Sequence, residues 1–498
     1  MGRRRATERE PDAVTDSART VLFVLGVLLA TLSAAMFAPG LVDLQIGGAA
    51  AYAFFGAGVI GVVIGGVMAL LGSGGDKSLS PRGAIILTGG SWAVLAAAAA
   101  VPLKLAGLGL SWTDALFEAT SGITTTGATI LTGLQDMPPG ILLWRSILQW
   151  IGGIGIIVTA MAIWPLLGIG GMQLFRLESS DASEKAMPRA GQIAGAVGLV
   201  YLALTFLCMI AYLAAGMGAF DAINHAMTTV ATGGFSTHDQ SIGAFAAGGA
   251  DLVALVFMVM AGLPFILFVR AAGGRPDLLF TDPQARMFLI VAGMAALALT
   301  LWLAANPPPQ DQTFGAWRLA SVNAVSILTG TGYASADYGL WGGAAVAIFF
   351  LLMFIGGCAG STTCSVKIFR YQIAASAMSA YIAQYARPHA VKPVRYRGQV
   401  VPDDTVRSVL GFFFLFFATF ATSAALLSLI GLDTVTAVSG AATTLANVGP
   451  GLGEVIGPAG TFQPLPDAAK WVMTATMLIG RLEIMVVLVM LAPGFWRR

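Results

Sequence analysis

Charge is the scarcest thing in this chain. Only 10% of its 498 residues are Asp, Glu, Lys or Arg, against roughly 25% in an ordinary soluble protein. So few charges cannot keep a chain that is 57% hydrophobic in solution, which excludes a soluble globular fold. Cysteine is scarce too. Cys208, Cys358 and Cys364 are odd in number and lie in or beside apolar runs, so no disulfide framework is implied. The three histidines make no zinc set: His225 reads as a packing residue in a short helix, and His238 and His389 fall in polar loops. No nucleophile triad, heme site or phosphate loop is discernible, and the glycine-rich strings do not follow strands, which argues against dinucleotide binding. A membrane enzyme would need clustered acids, bases or metal ligands within the apolar runs. None appears, so the chain reads as no enzyme, binding no cofactor of its own and no nucleic acid.

What is abundant is long, unbroken apolar sequence. Mean hydropathy is +0.80, and the runs are continuous rather than alternating, which favours an all-α integral membrane protein over a barrel. Candidate spans of about 20 residues fall near 20–40, 50–72, 84–106, 142–168, 194–216, 249–271, 285–305, 342–369, 406–430 and 469–493, ten in all. The opening MGRRRATEREPDAVTDSART reads as a charged arm leading into a first span rather than a cleaved leader.

Four shorter segments sit between spans: SWTDALFEATSGITTTG, FDAINHAMTTVATGG, FGAWRLASVNAVSILTGTG and LDTVTAVSGAATTLANVG. Each is too short and polar to cross, and reads as a re-entrant helix ending in an extended turn. After two leading spans the chain thus repeats span, short helix, span four times. The divisions are a cytoplasmic arm 1–19, leading spans 20–75, and repeats 76–175, 176–275, 276–398 and 399–498. Each short helix runs into small residues around one glycine, at Gly127, Gly233, Gly332 and Gly449. Internal repetition is a signature of transport folds.

Charge placement orients the chain. With a cytoplasmic amino terminus every repeat starts and ends inside, and the carboxyl terminus is cytoplasmic as well. Of the 27 Lys and Arg, only Lys104, Arg145, Arg318 and Lys470 then lie outside, Arg481 lies within a span, and the other 22 are inner or at the inner boundary.

Non-helical backbone at membrane depth is tolerated only when buried in protein or lining a watery path. Four such segments around one pseudo-fourfold axis would turn carbonyls inward to replace the hydration shell of a cation. The segments Thr125, Thr126 and Gly127; Thr232 and Gly233; Thr331 and Gly332; and Asn447, Val448 and Gly449 are the candidate filter. Glycine there permits backbone torsions closed to other residues and adds no side chain to the lumen. Carboxylates follow each stretch, Asp136, Asp239, Asp337 and Glu454, where they would either gather cations at an outer mouth or simply be solvated turn residues.

Four span–loop–span units carrying TTTGAT, ATGGF, TGYASADY and NVGPG resemble the Trk/Ktr/HKT superfamily of potassium transporters, and the two extra leading spans resemble its bacterial TrkH branch. The resemblance covers residue 20 to the end. It implies potassium uptake across the cell inner membrane by a multi-pass homodimer set in membrane lipid. It also implies gating by a cytosolic TrkA-type regulatory subunit, on which nucleotide is expected. The filter glycines carry over to Gly127, Gly233, Gly332 and Gly449. Plant relatives with serine at the first of these are associated with sodium permeation, so Gly127 favours potassium. A sodium-permeable transporter of the same fold is the nearest alternative. A secondary transporter of a small solute is further off, because it would show two inverted halves.

The run LLMFIGGCAGSTTCSVKIFRYQ interrupts an apolar span with Gly356, Gly357, Gly360, Ser361, Thr362 and Thr363, residues that break helices and leave carbonyls unpaired. In the family the matching loop resembles the gate, with Lys367 at its end, although TTCSVK departs from the usual glycine run. Arg481 lies mid-span, where a cation generally faces a cavity or partner. It resembles the arginine beneath the family's filter, and is expected to brace the closed gate by donating to carbonyls of residues 356–363. Glu483, two residues on, should face elsewhere on a helix. The basic loop 387–398 suits either the cytosolic partner or anionic lipid heads.

Overall fold

The computed structural model describes residues 10–74, 80–162, 186–307, 314–387 and 392–496. The first nine residues of the arm, the expected span 142–168 beyond residue 162, the 175/176 repeat boundary and His389 lie outside the described residues.

Leaving single-turn helices aside, the elements are α1 (Glu10–Ala35), α2 (Phe37–Gln45), α3 (Ala50–Gly72), α4 (Pro81–Leu105), α5 (Trp112–Ile123), α6 (Pro139–Ala162) and α7 (Ala186–Ala214). They continue with α8 (Ala219–Val230), α9 (Ala250–Gly262), α10 (Phe265–Ala272), α11 (Pro283–Ala305), α12 (Ala316–Thr329) and α13 (Gly343–Leu352). The last are α14 (Ile368–Ala386), the hairpin β1 (Arg395–Tyr396) and β2 (Gln399–Val400), α15 (Asp403–Leu429), α16 (Thr434–Ala446), α17 (Asp467–Arg481) and α18 (Met485–Leu491).

Among the described residues, seven helical stretches are long and apolar enough to cross a membrane: Ser17–Gln45, Ala50–Gly72, Arg82–Leu105, Pro139–Ile157, Gln192–Ala214, Pro283–Ala305 and Asp403–Leu429. Two bent pairs raise that to nine: Ser241–Gly248 with Ala250–Gly262, turned by 117°, and Asp467–Arg481 with Met485–Leu491, turned by 114°. The chain is therefore a multi-pass helical membrane protein. Three of the ten expected spans are broken, among them 249–271, where α9 ends at Gly262 and α10 begins at Phe265. The expected span 342–369 is helical only to Leu352 and resumes at Ile368, because the glycine, serine and threonine run between them satisfies its backbone outside a helix. The expected span 469–493 breaks after Arg481, where Glu483 and Ile484 take positive φ of 59° and 35°.

The chain divides into two compact units. In the first (1–120, 138–144 and 486–498), α1 and α3 touch along glycine faces. A Cβ at Gly26 would stand 2.6 Å from the Gly65 carbonyl oxygen, and one at Gly65 would stand 2.6 Å from that of Gly26. Without side chains there the two backbones meet, the usual route to helix association in lipid. The buried Asp43 carboxylate accepts the Gly140 N–H at 2.7 Å, and the Trp144 indole donates to the Ala99 carbonyl at 3.1 Å.

The second unit (121–137 and 145–485) carries the broken helices and the extended turns. Its core is formed around short helices rather than long ones. Ten residues each of α12 and α16 are buried, and eight of α8. Their polar side chains are satisfied inside: the Tyr333 hydroxyl meets the Thr228 hydroxyl at 2.5 Å, and Tyr212 meets Thr229 at 2.7 Å. Burial of these four hydroxyls is offset by the bonds they make to one another.

Candidate functional site

The short helices α5, α8, α12 and α16 all end in the same backbone turn. At Thr126, Gly233, Thr331 and Val448 the N–H reaches back five residues, to the carbonyls of Ser121, Thr228, Ser326 and Thr443, at 2.9, 2.8, 2.9 and 3.0 Å. The residue before each of these is left-handed: Thr125, Thr232, Gly330 and Asn447 have φ of 53°, 50°, 69° and 52°. The residue after each is a glycine with positive φ: Gly127 (83°), Gly234 (76°), Gly332 (79°) and Gly449 (109°). Left-handed backbone at non-glycine residues is uncommon, and three of the first set are Thr or Asn.

These four glycines close a ring. A Cβ on Gly127 would stand 2.3 Å from the Gly233 carbonyl oxygen, and one on Gly234 would stand 1.8 Å from that of Thr331. On Gly332 it would stand 2.1 Å from the Val448 oxygen, and on Gly449 2.8 Å from that of Thr126. Each turn thus presses on the next, and the fourth returns to the first. The same four glycines line one cavity of about 190 Å³.

Geometry shifts one register of the sequence reading. Gly233 aligns with Thr126, Thr331 and Val448, and it is Gly234 that stands with Gly127, Gly332 and Gly449. Thr232 likewise pairs with Thr125, and Gly330 belongs to that set. Adjacent glycines in ATGGFS left two alignments open, and only the recurring backbone hydrogen bond separates them.

The four carboxylates are not equivalent. Asp239 lines the cavity and its carboxylate accepts the N–H groups of Gly133 and Leu134 at 2.8 and 3.0 Å. Asp337 instead caps its own turn through Gly339, while Asp136 and Glu454 are exposed and do not line the cavity. The cavity wall also holds two residues whose contacts composition could not give. Arg145, buried, donates to the Ser236 carbonyl at 2.9 Å and the Thr129 hydroxyl at 3.2 Å, and its guanidinium lies 4.0 Å from the centre of the Phe235 ring. His238 is half-buried there. His225 is fully buried against Ser236 (2.9 Å) and the Asp221 carbonyl (2.9 Å), as befits a packing residue.

The loop 353–367 lies against the other side of the turns. Its Thr362 hydroxyl donates to the Val230 carbonyl at 3.0 Å, two residues before the left-handed Thr232. Cys364 sits with its sulfur 3.5 Å from the Thr125 hydroxyl. Within the loop, Gly356 donates to the Val366 carbonyl at 2.9 Å, Gly357 to the Thr363 hydroxyl at 3.1 Å, and the Gly360 carbonyl accepts the Phe265 N–H at 2.9 Å. Ser361 bonds to the Cys358 carbonyl and the Thr363 hydroxyl, both at 2.6 Å. The Lys367 ammonium turns back onto the Thr363 carbonyl. Gln284 on α11 accepts the Ala359 N–H at 3.0 Å.

Arg481 is buried at the end of α17, next to this loop. Its guanidinium donates to the Cys364 sulfur at 2.7 Å and to the Gly152 carbonyl at 3.0 Å. The bond to Cys364 goes to the residue just beyond the expected 356–363. Within the loop the Gly357 carbonyl accepts the Ile368 N–H at 3.1 Å and the Gly360 carbonyl accepts the Phe265 N–H at 2.9 Å. Glu483 does have a cation: Arg370, at the start of α14, meets its carboxylate at 2.5 Å with both side chains buried. Glu483 lies in the break after Arg481, and nothing local in the sequence announces that break.

Gln149 on α6 was also missed. It is fully buried and contacts the second turn on both sides of Gly234. A polar amide within LLWRSILQWIGG was the available signal, since polar groups at membrane depth usually face a site.

Residues 51–497 match a family model described as TrkH, cation transport protein. The Trk system potassium uptake protein TrkI of Halomonas elongata is 46% identical over 422 residues, 84% of this chain and 85% of the relative. The Trk system potassium uptake protein TrkH of the same organism is 39% identical over 97% of this chain and its whole length. The crystal structure of the potassium transporter TrkH from Vibrio parahaemolyticus superposes with a TM-score of 0.88 at 36% identity, over 96% of this chain and all of that one.

Proposed function

Because the chain belongs to the TrkH family of cation transport proteins, a family of transporters and not of enzymes, we propose that it takes potassium up across the cell inner membrane through the ring of four glycine turns. The observation that carries this reading is the closure of the ring. Four turns with one backbone pattern press on one another in cyclic order, and their four glycines line a single cavity.

Physical chemistry supplies the mechanism. A potassium ion entering the cavity must shed water, and main-chain oxygens of the turns take the place of that water. The carboxyl ends of α5, α8, α12 and α16 run into the turns, so their negative dipole ends favour a cation there. Asp239 on the cavity wall adds attraction for arriving cations. Past the ring, the loop 353–367 with Arg481 forms the gate. Its hydroxyl and thiol bonds to the turns hold it across the path, and the guanidinium repels a passing cation.

The working assembly is a homodimer with both termini cytoplasmic, opened by a cytosolic nucleotide-binding subunit. The distribution of Lys and Arg supports the orientation. The names of the similar Trk system proteins support potassium as the cargo.

Rubidium and sodium uptake into proteoliposomes tests the reading, with wild type beside Gly127→Ser. Wild type should take up rubidium in preference to sodium, and the serine variant should lose part of that preference. Equal uptake of the two ions by wild type would replace potassium with the sodium-permeable alternative.

A further inference from the structure

The four turns are not equally held. Turns one and three carry a hydroxyl pair across the left-handed residue: Thr124 with Thr126 at 2.7 Å, and Thr329 with Thr331 at 2.8 Å. The fourth has Asn447, whose side-chain N–H groups reach the Thr126 hydroxyl at 2.8 Å and the Met477 carbonyl at 3.0 Å. The second has Ala231 and Gly233 at the positions of those hydroxyls, and its Thr232 hydroxyl merely returns to the Ala231 carbonyl at 2.8 Å. It is also the turn with two consecutive glycines, the combination with the greatest conformational freedom to lose. By its own sequence it is the loosest quarter of the ring.

Gln149 makes up the deficit from outside. Its side-chain N–H donates to the Gly233 carbonyl at 2.6 Å, and its side-chain oxygen accepts the Phe235 N–H at 3.0 Å. These belong to the two peptide planes that flank Gly234, so one amide pins both torsions of that glycine. The amide's orientation is unambiguous, because the carbonyl can only accept and the N–H can only donate. Packing adds a second restraint: a Cβ on Gly233 would stand 2.3 Å from the Gln149 amide carbon, so a side chain there would displace the amide. The pinned Gly233 carbonyl is the one that meets Gly127 in the ring.

We propose that Gln149 is a specificity-determining positioning residue, which holds the second turn at the radius that suits a potassium-sized ion. The inference rests on the ring being the cation-selecting element. A ring with one loose quarter collapses onto a smaller ion and so stops discriminating against sodium, whereas a pinned ring keeps its size and oxygen number.

The experiment compares wild type, Gln149→Met and Gln149→Glu as full-length protein in proteoliposomes, reading rubidium uptake, sodium uptake and thermal unfolding in detergent. Methionine keeps the length and loses both hydrogen bonds, and glutamate keeps an acceptor for the Phe235 N–H. The methionine variant should lose about tenfold in rubidium-over-sodium preference, in line with a buried amide deprived of its partners, and glutamate should lie between it and wild type. If methionine prevents folding, the intermediate preference of the glutamate variant carries the test alone. Unchanged preference in the folded variants, or equal slowing of both ions, overturns the proposal and leaves Gln149 a structural residue. A wild type without preference would instead overturn the potassium reading itself.

Discussion

The ring of glycine turns and the loop 353–367 are both bare backbone among apolar helices, yet only the ring repeats one backbone bond. Each turn of the ring is closed by its own main chain, through one hydrogen bond repeated at Thr126, Gly233, Thr331 and Val448. Its torsions are ones that side chains disfavour, so its shape is written into local backbone. The loop has no repeated pattern. Its ends are joined by backbone bonds such as Gly356 N–H to the Val366 carbonyl, and it is further tied by side chains: the Thr362 hydroxyl on Val230, the Gln284 amide on Ala359, the Tyr371 hydroxyl on Phe354 at 2.7 Å and the Arg481 guanidinium on Cys364. A structure closed by its own backbone resists rearrangement. One whose contacts to the ring are single side-chain bonds, each worth about 0.5–1.5 kcal/mol net, can exchange those contacts. The proposed roles, filter for the ring and gate for the loop, call for such a difference.

The contrast breaks most directly at Gly234. Gly234→Ala puts a methyl group 1.8 Å from the Thr331 carbonyl oxygen at a φ of 76°, and neither backbone can yield without opening the ring. Rubidium uptake should fall by about a hundredfold or more, as expected when a clash and a strained torsion of a few kcal/mol fall on one site. Gly233→Ala meets only the Gln149 side chain and should retain more uptake. A reversed order of the two variants would refute the register drawn from the backbone.

A large effect of another kind is expected at the support of the loop. Glu483→Gln leaves the buried Arg370 without its carboxylate, at a cost of about 3–5 kcal/mol. Thermal unfolding should drop accordingly, and Arg370→Met combined with Glu483→Leu should recover much of the loss. No drop in the single variant would mean that the pair is not formed in the membrane.

Arg481→Gln removes a cation from the path and its bond to Cys364 while leaving the ring intact. Potassium flux without the regulatory subunit should rise several-fold in proteoliposomes, and rubidium-over-sodium preference should hold. Unchanged flux would count against any gating role. The smallest change is expected from Thr362→Val, which removes one tie between loop and ring. A two- to threefold rise in flux corresponds to a single neutral hydrogen bond of about 0.5 kcal/mol, and a fall in preference there would show that loop and ring are not separable.

Much of this was legible beforehand. The long helices followed from apolar runs of membrane length, and the short ones from polar residues interrupting them at regular distances. Three of the four ring glycines were found from small-residue strings. The fourth was displaced by one residue, because Gly233 and Gly234 are chemically identical and hydropathy has no opinion between them. Arg481 was found because a lone cation in an apolar run is conspicuous. Its partners were not, since Gly152 and Cys364 stand hundreds of positions away from it in the chain or carry no charge to advertise a contact. Glu483 was expected to face away from Arg481, and its carboxylate meets Arg370 instead, a partner 113 positions away that no local pattern announces. The four carboxylates follow their glycines at similar offsets in sequence, but of the four only Asp239 lines the cavity.

Composition alone decided that this chain lives in lipid, since too few charges exist to cover so much apolar surface with a soluble exterior. Periodic glycine and threonine strings decided that it carries several copies of one backbone device, because polar main chain in lipid must be buried or functional. Which residues meet was decided only by tertiary structure. The closure of the ring, the clamp of Gln149 about Gly234 and the pairing of Arg370 with Glu483 join residues distant in sequence, and a hydrogen bond depends on position and direction that no linear spacing encodes.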